Sequence, residues 1–172
     1  IFVTGNTVID AFHYTVKKNY KFKNEHLKNI DFAKNRFVLM TAHRRENLGV
    51  PLENICRAVK RLVTDNTDIE VIYPVHLNPA VRETVFSILS DVERVHLIDP
   101  LDVEDMHNAM SKSFLVMTDS GGLQEEGPSF GIPVIVLRTE TERPEAVDAG
   151  TVVMGGIVEA HIYEIAHNLL NQ

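Results

Sequence analysis

The chain has 172 residues, of which 44% are hydrophobic and 24% are charged, a balance typical of a soluble globular protein with one sizeable core. Its formal net charge of −7 argues against a nucleic-acid-binding surface, and no apolar run approaches the roughly 18 residues of a membrane span. No basic stretch followed by an apolar one opens the chain, so nothing argues for export and a cytoplasmic location is expected.

Apolar, β-branched runs alternate with amphipathic stretches along the chain. The apolar runs predict six strands, at 37–42, 69–75, 94–98, 114–117, 133–137 and 151–154. The amphipathic stretches predict helices at 7–20, 51–64, 79–90, 102–111, 121–130 and 157–170. Strands that are apolar throughout and alternate with helices indicate an α/β fold, in which helices cover both faces of a parallel sheet.

Three features stand outside this alternation. Residues 1–3 look like a strand and the chain begins with Ile, so we interpret it as a piece of a longer protein. Residues 21–35 are rich in Lys and Asn and are expected to form a solvated loop. The single cysteine, Cys56, excludes an intramolecular disulfide and lies near the apolar face of helix 51–64, so we expect a buried structural thiol.

Polar segments follow most of the predicted strands. Ligands of open parallel sheets bind at the carboxyl ends of the strands, so these segments are expected to meet at one edge. They are residues 43–49, 76–79, 99–102, 118–122 and 138–145.

The segment after strand 114–117 predicts a site for a nucleotide diphosphate. A polar turn leads through Ser120 into Gly121 and Gly122, at the start of a helix. Free backbone N–H groups and the helix dipole attract a phosphate there, and glycines let it approach the backbone. Glu126, further along the helix, suits a pair of sugar hydroxyls. The alternative is an ordinary helix N-cap by Asp119 or Ser120, and both readings can hold together.

Two strand ends carry histidines. His43 and Arg44 suit a diphosphate, because Arg offers a planar fork for phosphate oxygens and His a switchable donor. The alternative is a solvated loop whose arginines pair with acids elsewhere. A lone strand-end histidine such as His76 is, by itself, more often a structural or surface residue.

Four blocks of sequence closely resemble the non-hydrolysing UDP-N-acetylglucosamine 2-epimerases, in the order of that family: TAHRREN at 41–47, YPVHLNP at 73–79, TDSGGLQEE at 118–126 and TERPEAVDAGT at 141–151. The resemblance implies a GT-B-like enzyme with two Rossmann-like domains and its active site in the cleft between them. Residues 1–172 would be the C-terminal, UDP-binding domain, without the N-terminal one. The family interconverts UDP-N-acetylglucosamine and UDP-N-acetylmannosamine by eliminating UDP and adding it back, needs no cofactor and is typically dimeric, so a homodimer is expected of the full-length protein.

The resemblance also implies roles for individual residues. His43 is the catalytic residue on the leaving-group side, and the acid–base carboxylates belong to the absent domain. Nine residues bind the substrate: Arg44, His76, Leu101, Met106, Ser120, Gly121, Gly122, Glu126 and Arg143. In some bacterial members a second, activating UDP-N-acetylglucosamine binds at the domain interface, and here it would lie near Arg44 and His76.

Two parts of this assignment are specific to the present sequence. The uracil is expected near Leu101 and Met106, where relatives often have Gln and an aromatic residue. Arg143 is expected to face the substrate sugar, and its alternative is a salt bridge to Glu142 or Glu145 on a solvated turn.

The sequence predicts no metal site, because the acidic run 99–105 lacks the spacing of a calcium loop and the eight histidines show no zinc pattern. That acidic run is better explained as a solvated helix start. Two other functions stay open: the donor domain of a GT-B glycosyltransferase, which would pass the sugar to an acceptor, and a non-catalytic UDP-sugar sensor.

Overall fold

A computed structural model describes residues 5–171, so the strand-like residues 1–3 lie outside its described part. Six parallel strands form one sheet: β1 (Arg36–Thr41), β2 (Ile69–Pro74), β3 (Val95–Ile98), β4 (Leu115–Thr118), β5 (Val134–Val136) and β6 (Val152–Met154). Their order across the sheet is β3-β2-β1-β4-β5-β6. The chain therefore builds outward from β1 to one edge, returns to pair β4 with β1, and continues to the other edge. The strand order reverses between β1 and β4, where such sheets bind ligands.

Eight α-helices and a short 3₁₀ turn accompany these strands among the described residues. They are α1 (Val8–Thr15), α2 (Glu25–Lys28), the 3₁₀ turn Arg45–Asn47, α3 (Val50–Asp65), α4 (Pro79–Leu89), α5 (Val103–Ser111), α6 (Leu123–Ser129), α7 (Pro144–Asp148) and α8 (Glu159–Leu170). The predicted six strands and the predicted helices from 51 onward are confirmed to within about two residues at their ends, the usual uncertainty of such boundaries.

Two hydrophobic cores lie on opposite faces of the sheet. On one face, α3, α4 and α8 cover alternate residues of β1 such as Val38 and Met40. On the other face, α2, α5 and α6 cover Phe37 and Leu39. The prediction of a parallel sheet covered on both faces is confirmed. Cys56 is buried in the first core, as expected, and burial raises the pKa of its thiol to about 12, so the thiol stays protonated and inert.

The helix predicted at 7–20 is too long, because α1 ends at Thr15. The side chain of Asn108 in α5 replaces the next helical hydrogen bonds: its Nδ2 donates to the carbonyl of Thr15, and its Oδ1 accepts from the backbone N–H of Lys17. Val16 then takes an extended conformation. A partner about 90 residues away therefore ends this helix.

The prediction that residues 21–35 form a solvated loop is wrong. Phe22 and Leu27 are buried in the second core, and the Phe22 ring stacks on Phe32 at a centroid distance of 5.2 Å. The buried carboxylate of Asp105 fixes this segment by accepting hydrogen bonds from the backbone N–H groups of Lys23 and Asn24. Lysines cover the outside of the segment, while its spaced apolar residues close the core below.

No helix among the described residues has the length and apolar character needed to cross a bilayer. Within the same part of the chain, no group of three or more His, Cys, Asp or Glu side chains is arranged to hold a metal ion.

Candidate functional site

A cavity of about 330 Å³ opens at the carboxyl edge of the sheet, at the point where the strand order reverses. Five predicted site residues line it: His43, Leu101, Met106, Ser120 and Glu126. They come from the ends of β1, β3 and β4 and from α5 and α6, so segments far apart in sequence do meet at one edge.

The glycine turn at 121–122 lies between β4 and α6. Gly122 is the N-cap residue of α6, and no described side chain caps that helix. A Cβ on Gly122 would lie 3.3 Å from Glu126 Oε1, tighter than an ordinary contact, and one on Gly121 would lie 3.7 Å from Arg44 Nη2. Glycine at these positions leaves the backbone of the turn open to a ligand. The alternative reading, an N-cap by Asp119 or Ser120, is wrong.

The carboxylate of Asp119 does not cap α6 and instead holds the turn that follows β1. Asp119 is fully buried, and its Oδ2 accepts hydrogen bonds from the backbone N–H groups of His43 and Arg44, each at 2.8 Å. The same oxygen accepts a hydrogen bond of 3.1 Å from Asn47 Nδ2, which also donates to the carbonyl of Leu137. One carboxylate therefore joins the segments after β1, β4 and β5. This role was not predicted from the sequence, although a charged residue directly after a buried strand is a usable signal.

The rings of His43 and His76 stack on each other, with centroids 5.0 Å apart and planes 5° from parallel. The backbone N–H of Asn78 donates to His76 Nδ1 at 3.1 Å. His76 therefore carries its proton on Nε2 when neutral, because Nδ1 must accept. The structure thus brings together the two strand-end histidines that the sequence placed 33 positions apart.

Glu126 lies against His107, which was not among the site residues predicted from the sequence. Its Oε2 is 3.4 Å from His107 Nε2, and the two side chains are 14% and 3% exposed. Burial raises the pKa of Glu126, with a smaller contribution from Glu125, and burial lowers the pKa of His107. Both shifts favour the uncharged forms. His107 Nδ1 lies 2.9 Å from Thr15 Oγ1, and the Phe12 ring packs edge-on against the imidazole.

Arg143 lies outside the cavity lining and pairs with Glu125 through its Nε. The alternative of a salt bridge to Glu142 or Glu145 named the wrong partner. Glu125 also accepts a hydrogen bond from Asn6, which, ahead of Arg143, lowers the pKa of Glu125. Arg143 is thereby held against Glu125 of α6, the residue next to Glu126.

Arg44 belongs to a network of four charged side chains next to the glycine turn, where Arg44 and Glu142 lie beside Gly121. Its Nη1 lies 3.4 Å from Glu142 Oε1 and 3.6 Å from Glu46 Oε1. Arg138 lies 3.3 Å from both carboxylates. The hydrogen bond from Arg138, and then the charge of Arg44, lower the pKa of Glu142. The arginine does pair with acids, as the alternative reading of this loop held, and the network is balanced at two positive and two negative charges.

Leu101 and Met106 form an apolar wall of the cavity at the start of α5. Asp102 is the N-cap of this helix and accepts a hydrogen bond of 2.8 Å from the backbone N–H of Asp105. That bond, followed by the one from Lys23, lowers the pKa of Asp102. The acidic run does start this helix, but the prediction that it is solvated is wrong for Asp105, whose buried carboxylate holds the segment around Lys23 and Asn24. The binding roles of all ten residues stay predictions.

Comparisons with known proteins cover the whole chain. A family model described as UDP-N-acetylglucosamine 2-epimerase matches residues 1–172. A Thermotoga maritima relative is 63% identical over 170 residues, covering 99% of this chain and 45% of the relative. The UDP-N-acetylglucosamine 2-epimerase of Bacillus subtilis is 52% identical over 170 residues, covering 99% of this chain and 44% of the relative. The chain therefore spans about half the length of the curated relatives it matches.

Solved structures are similar over the same length. The S. aureus MnaA–UDP structure has 50% identity and a TM-score of 0.91, covering 99% of this chain and 46% of that one. The UDP-GlcNAc 2-epimerase of Neisseria meningitidis bound to UDP-GlcNAc has 42% identity and a TM-score of 0.87, covering 98% and 47%. An E. coli heptosyltransferase, at 13% identity and a TM-score of 0.62 over 83% of this chain, shares the fold alone. The predicted GT-B-like, Rossmann-like fold is confirmed.

Proposed function

This chain belongs to the UDP-N-acetylglucosamine 2-epimerase family, and from that premise we propose that it is the C-terminal, UDP-binding domain of a two-domain enzyme that interconverts UDP-N-acetylglucosamine and UDP-N-acetylmannosamine. One observation carries this proposal. The cavity where the strand order reverses places the glycine turn beside a buried carboxylate, in a chain similar throughout to proteins solved with UDP and with UDP-GlcNAc.

The cavity has a place for each part of UDP. The apolar wall of Leu101 and Met106 takes the uracil. Glu126 accepts hydrogen bonds from the two ribose hydroxyls, a task that suits its two oxygens once it is ionised. The diphosphate lies on the glycine turn, where Arg44 already reaches to within 3.7 Å of a Cβ position on Gly121. Arg44 would then exchange its carboxylate partners for phosphate oxygens.

The chemistry divides between the two domains. Removing the weakly acidic C2 proton needs positioned carboxylates, and in this proposal the N-terminal domain supplies them. The present domain stabilises the negative charge that develops on UDP as the C1–O bond breaks. His43 acts on this leaving-group side. The isolated chain is expected to bind UDP without turning over the nucleotide sugar.

The same edge of the domain suits two further properties. Arg44 and the stacked His43–His76 pair face outward at the carboxyl edge, where a second UDP-N-acetylglucosamine between the domains would act as an activator. The full-length protein is proposed to be a homodimer. Sedimentation of the full-length protein with and without UDP-N-acetylglucosamine, together with initial rates at rising substrate concentration, tests both properties. A hyperbolic rate curve would contradict the activator site.

Calorimetric titration with UDP tests the binding site. The full-length protein and the isolated chain are compared as unmutated proteins, as Glu126→Ala, and as Glu93→Ala, which removes an exposed carboxylate ahead of β3, away from the site. Saturable binding that is lost in Glu126→Ala and kept in Glu93→Ala is the expected result. UDP binding by full-length Glu126→Ala with unchanged affinity would show that the ribose site is wrong.

Incubation of the full-length protein with UDP-N-acetylglucosamine and no acceptor tests the reaction. Appearance of UDP-N-acetylmannosamine in the NMR spectrum is expected. UDP binding without this product would favour a sensor, and product formation only when an acceptor is added would favour a glycosyltransferase. Release of free N-acetylmannosamine would indicate the hydrolysing branch of the family.

A further inference from the structure

The second oxygen of the Asp119 carboxylate is buried without a hydrogen-bond partner in the described part of the chain. All three donors that hold the turn after β1 go to the other oxygen, Oδ2. A buried carboxylate oxygen left unpaired costs free energy, so its persistence calls for a partner. Holding the turn does not account for this oxygen.

The ring of His43 lies next to this oxygen. His43 Nδ1 is 3.8 Å from Asp119 Oδ1, which is longer than a hydrogen bond of about 2.7–3.2 Å. The backbone of His43 is fixed by its own bond to Asp119, while its side chain is 42% exposed and stacked on His76. A small rotation of the ring within this stack would close the contact.

We propose that Asp119 is a positioning residue that keeps a proton on Nδ1 of His43, so that Nε2 is the nitrogen that acts on the departing UDP. This inference rests on the proposed function. The carboxylate accepts and cannot donate when ionised, so it selects Nδ1–H. His76, whose Nδ1 accepts from Asn78, is set in the opposite tautomer. The stacked pair thus exposes two nitrogens of different character: Nε2 of His43 can exchange a proton, and Nε2–H of His76 can only donate.

The proton and the electron pair balance over the reversible reaction. As the C1–O bond breaks, its electron pair stays on the β-phosphate oxygen of UDP, and the C2 proton goes to a base of the other domain. His43 enters the elimination as the imidazolium, protonated on both nitrogens; its Nε2 proton passes to that phosphate oxygen and leaves the neutral ring with its proton on Nδ1. The same proton returns to Nε2 when UDP adds back. Throughout, Nδ1 keeps its proton because Asp119 holds it, as in other carboxylate–histidine pairs.

The variant Asp119→Asn separates positioning of the ring from holding the turn. The amide oxygen can take the place of Oδ2 and keep the three hydrogen bonds to the turn. The amide NH₂ then takes the place of Oδ1 and donates to Nδ1, which forces the His43 proton onto Nε2. We expect kcat of the full-length protein to fall by about 10²- to 10⁴-fold, the range that a wrong tautomer produces elsewhere, with UDP affinity within about threefold.

Nitrogen-15 NMR of histidine-labelled full-length protein reads the tautomer directly, with His43→Gln identifying the signal. The unmutated protein should show Nδ1–H, and Asp119→Asn should show Nε2–H. Asn47→Ala is the matched control, because it removes one bond to the turn from the same carboxylate and leaves the tautomer unchanged.

Several results would overturn the proposal. An Nε2–H tautomer for His43 in the unmutated protein would do so even if Asp119→Asn did not fold. Loss of kcat, UDP affinity and stability in equal measure would show that Asp119 only holds the turn, and unchanged kcat would show no role. If the unmutated protein makes no UDP-N-acetylmannosamine, the proposed function fails, and the tautomer measurement still decides the Asp119–His43 contact separately.

Discussion

The two sides of the candidate site are held by different interactions. On the side of β1 and β4, Asp119, Asn47 and the contact between the Thr41 and Thr118 hydroxyls at 2.7 Å are buried. On the side of the segment after β5, Arg44 and Glu142 meet at the surface, with side chains 30% and 56% exposed. Buried hydrogen bonds fix one geometry, whereas exposed ion pairs contribute about 0–1 kcal/mol each and exchange partners readily. The first side is therefore preformed, and the second can rearrange around a diphosphate.

The sharpest test of this contrast is the stability of two carboxylate deletions. Asp119→Ala leaves two backbone N–H groups and the Asn47 amide without their acceptor, so the free energy of unfolding should fall by about 3 kcal/mol. Glu142→Ala should have no measurable effect, because the carboxylate is exposed. Urea unfolding of both variants gives the comparison. Equal stability losses would mean that the two sides do not differ as described.

The burial of Glu126 should also make UDP binding depend on pH. Glu126 must be ionised to accept two ribose hydrogen bonds, and its pKa is raised by burial. As pH falls through that raised pKa, affinity should fall by about tenfold per pH unit, beginning at a higher pH than for an exposed glutamate. Glu126→Gln removes this dependence and keeps the titration of UDP itself, so calorimetry of both proteins isolates the carboxylate. Parallel pH profiles would contradict the prediction.

The stability of the unliganded protein should depend on pH in the opposite direction to its affinity for UDP. Because the folded-state pKa of Glu126 lies above its unfolded value, the folded state binds the proton more tightly. This contribution to stability is fully present below the unfolded pKa and is lost as pH rises through the folded pKa. Thermal unfolding of unmutated protein and Glu126→Gln across that window measures it. An increase in this contribution with pH would show that burial does not dominate.

Removing a carboxylate from the exposed side should change UDP affinity less, and it should strengthen binding rather than weaken it. Glu142→Gln removes a carboxylate that competes with phosphate for Arg44, so UDP should bind about threefold more tightly. The gain should shrink at high salt, because exposed charges are screened. Glu140→Gln, an exposed carboxylate on the same segment, serves as control. Equal gains in both variants would indicate a general charge effect.

The smallest expected effect on UDP affinity is that of Arg143→Ala. Arg143 pairs with Glu125 outside the cavity, so UDP affinity should change less than about twofold. Turnover by the full-length protein should fall instead, because Arg143 is proposed to face the sugar. Titration and initial rates on the same preparation separate the two. A large loss of UDP affinity would move Arg143 into the nucleotide site.

Most of the fold was predictable because buried parallel strands are apolar throughout, and the helix at 51–64 repeats its apolar residues at helical spacing. The parts that were wrong depend on distant partners. Asn108 ends α1, and Phe22 and Leu27 are buried by contacts that a lysine-rich stretch does not reveal. The lysines of this segment stay exposed while its apolar residues are buried, so composition alone wrongly suggests a solvated loop.

The candidate site, like the fold, has parts that could be predicted from the sequence and parts that depend on distant partners. The glycine turn and strand-end histidines could be predicted because strand ends converge by topology. His107 could not, since its burial against Glu126 depends on Phe12 and Thr15, far away in sequence. The partner of Arg143 was missed because local spacing suggested a neighbour in the same turn, whereas Glu125 lies on α6.

The pairing of β1 with β4 has a consequence for the order of folding. β1 can pair with β2 through a nearby connection, but its pairing with β4 joins Thr41 to Thr118 across 77 residues. Long-range pairings of this kind form late, because the chain entropy of closing the loop must be overcome first. A nascent chain that holds only β1, β2 and β3 therefore lacks β4, and with it one side of the site between β1 and β4. We expect a nucleotide to protect the chain against proteolysis only after β4, β5 and β6 have joined the sheet.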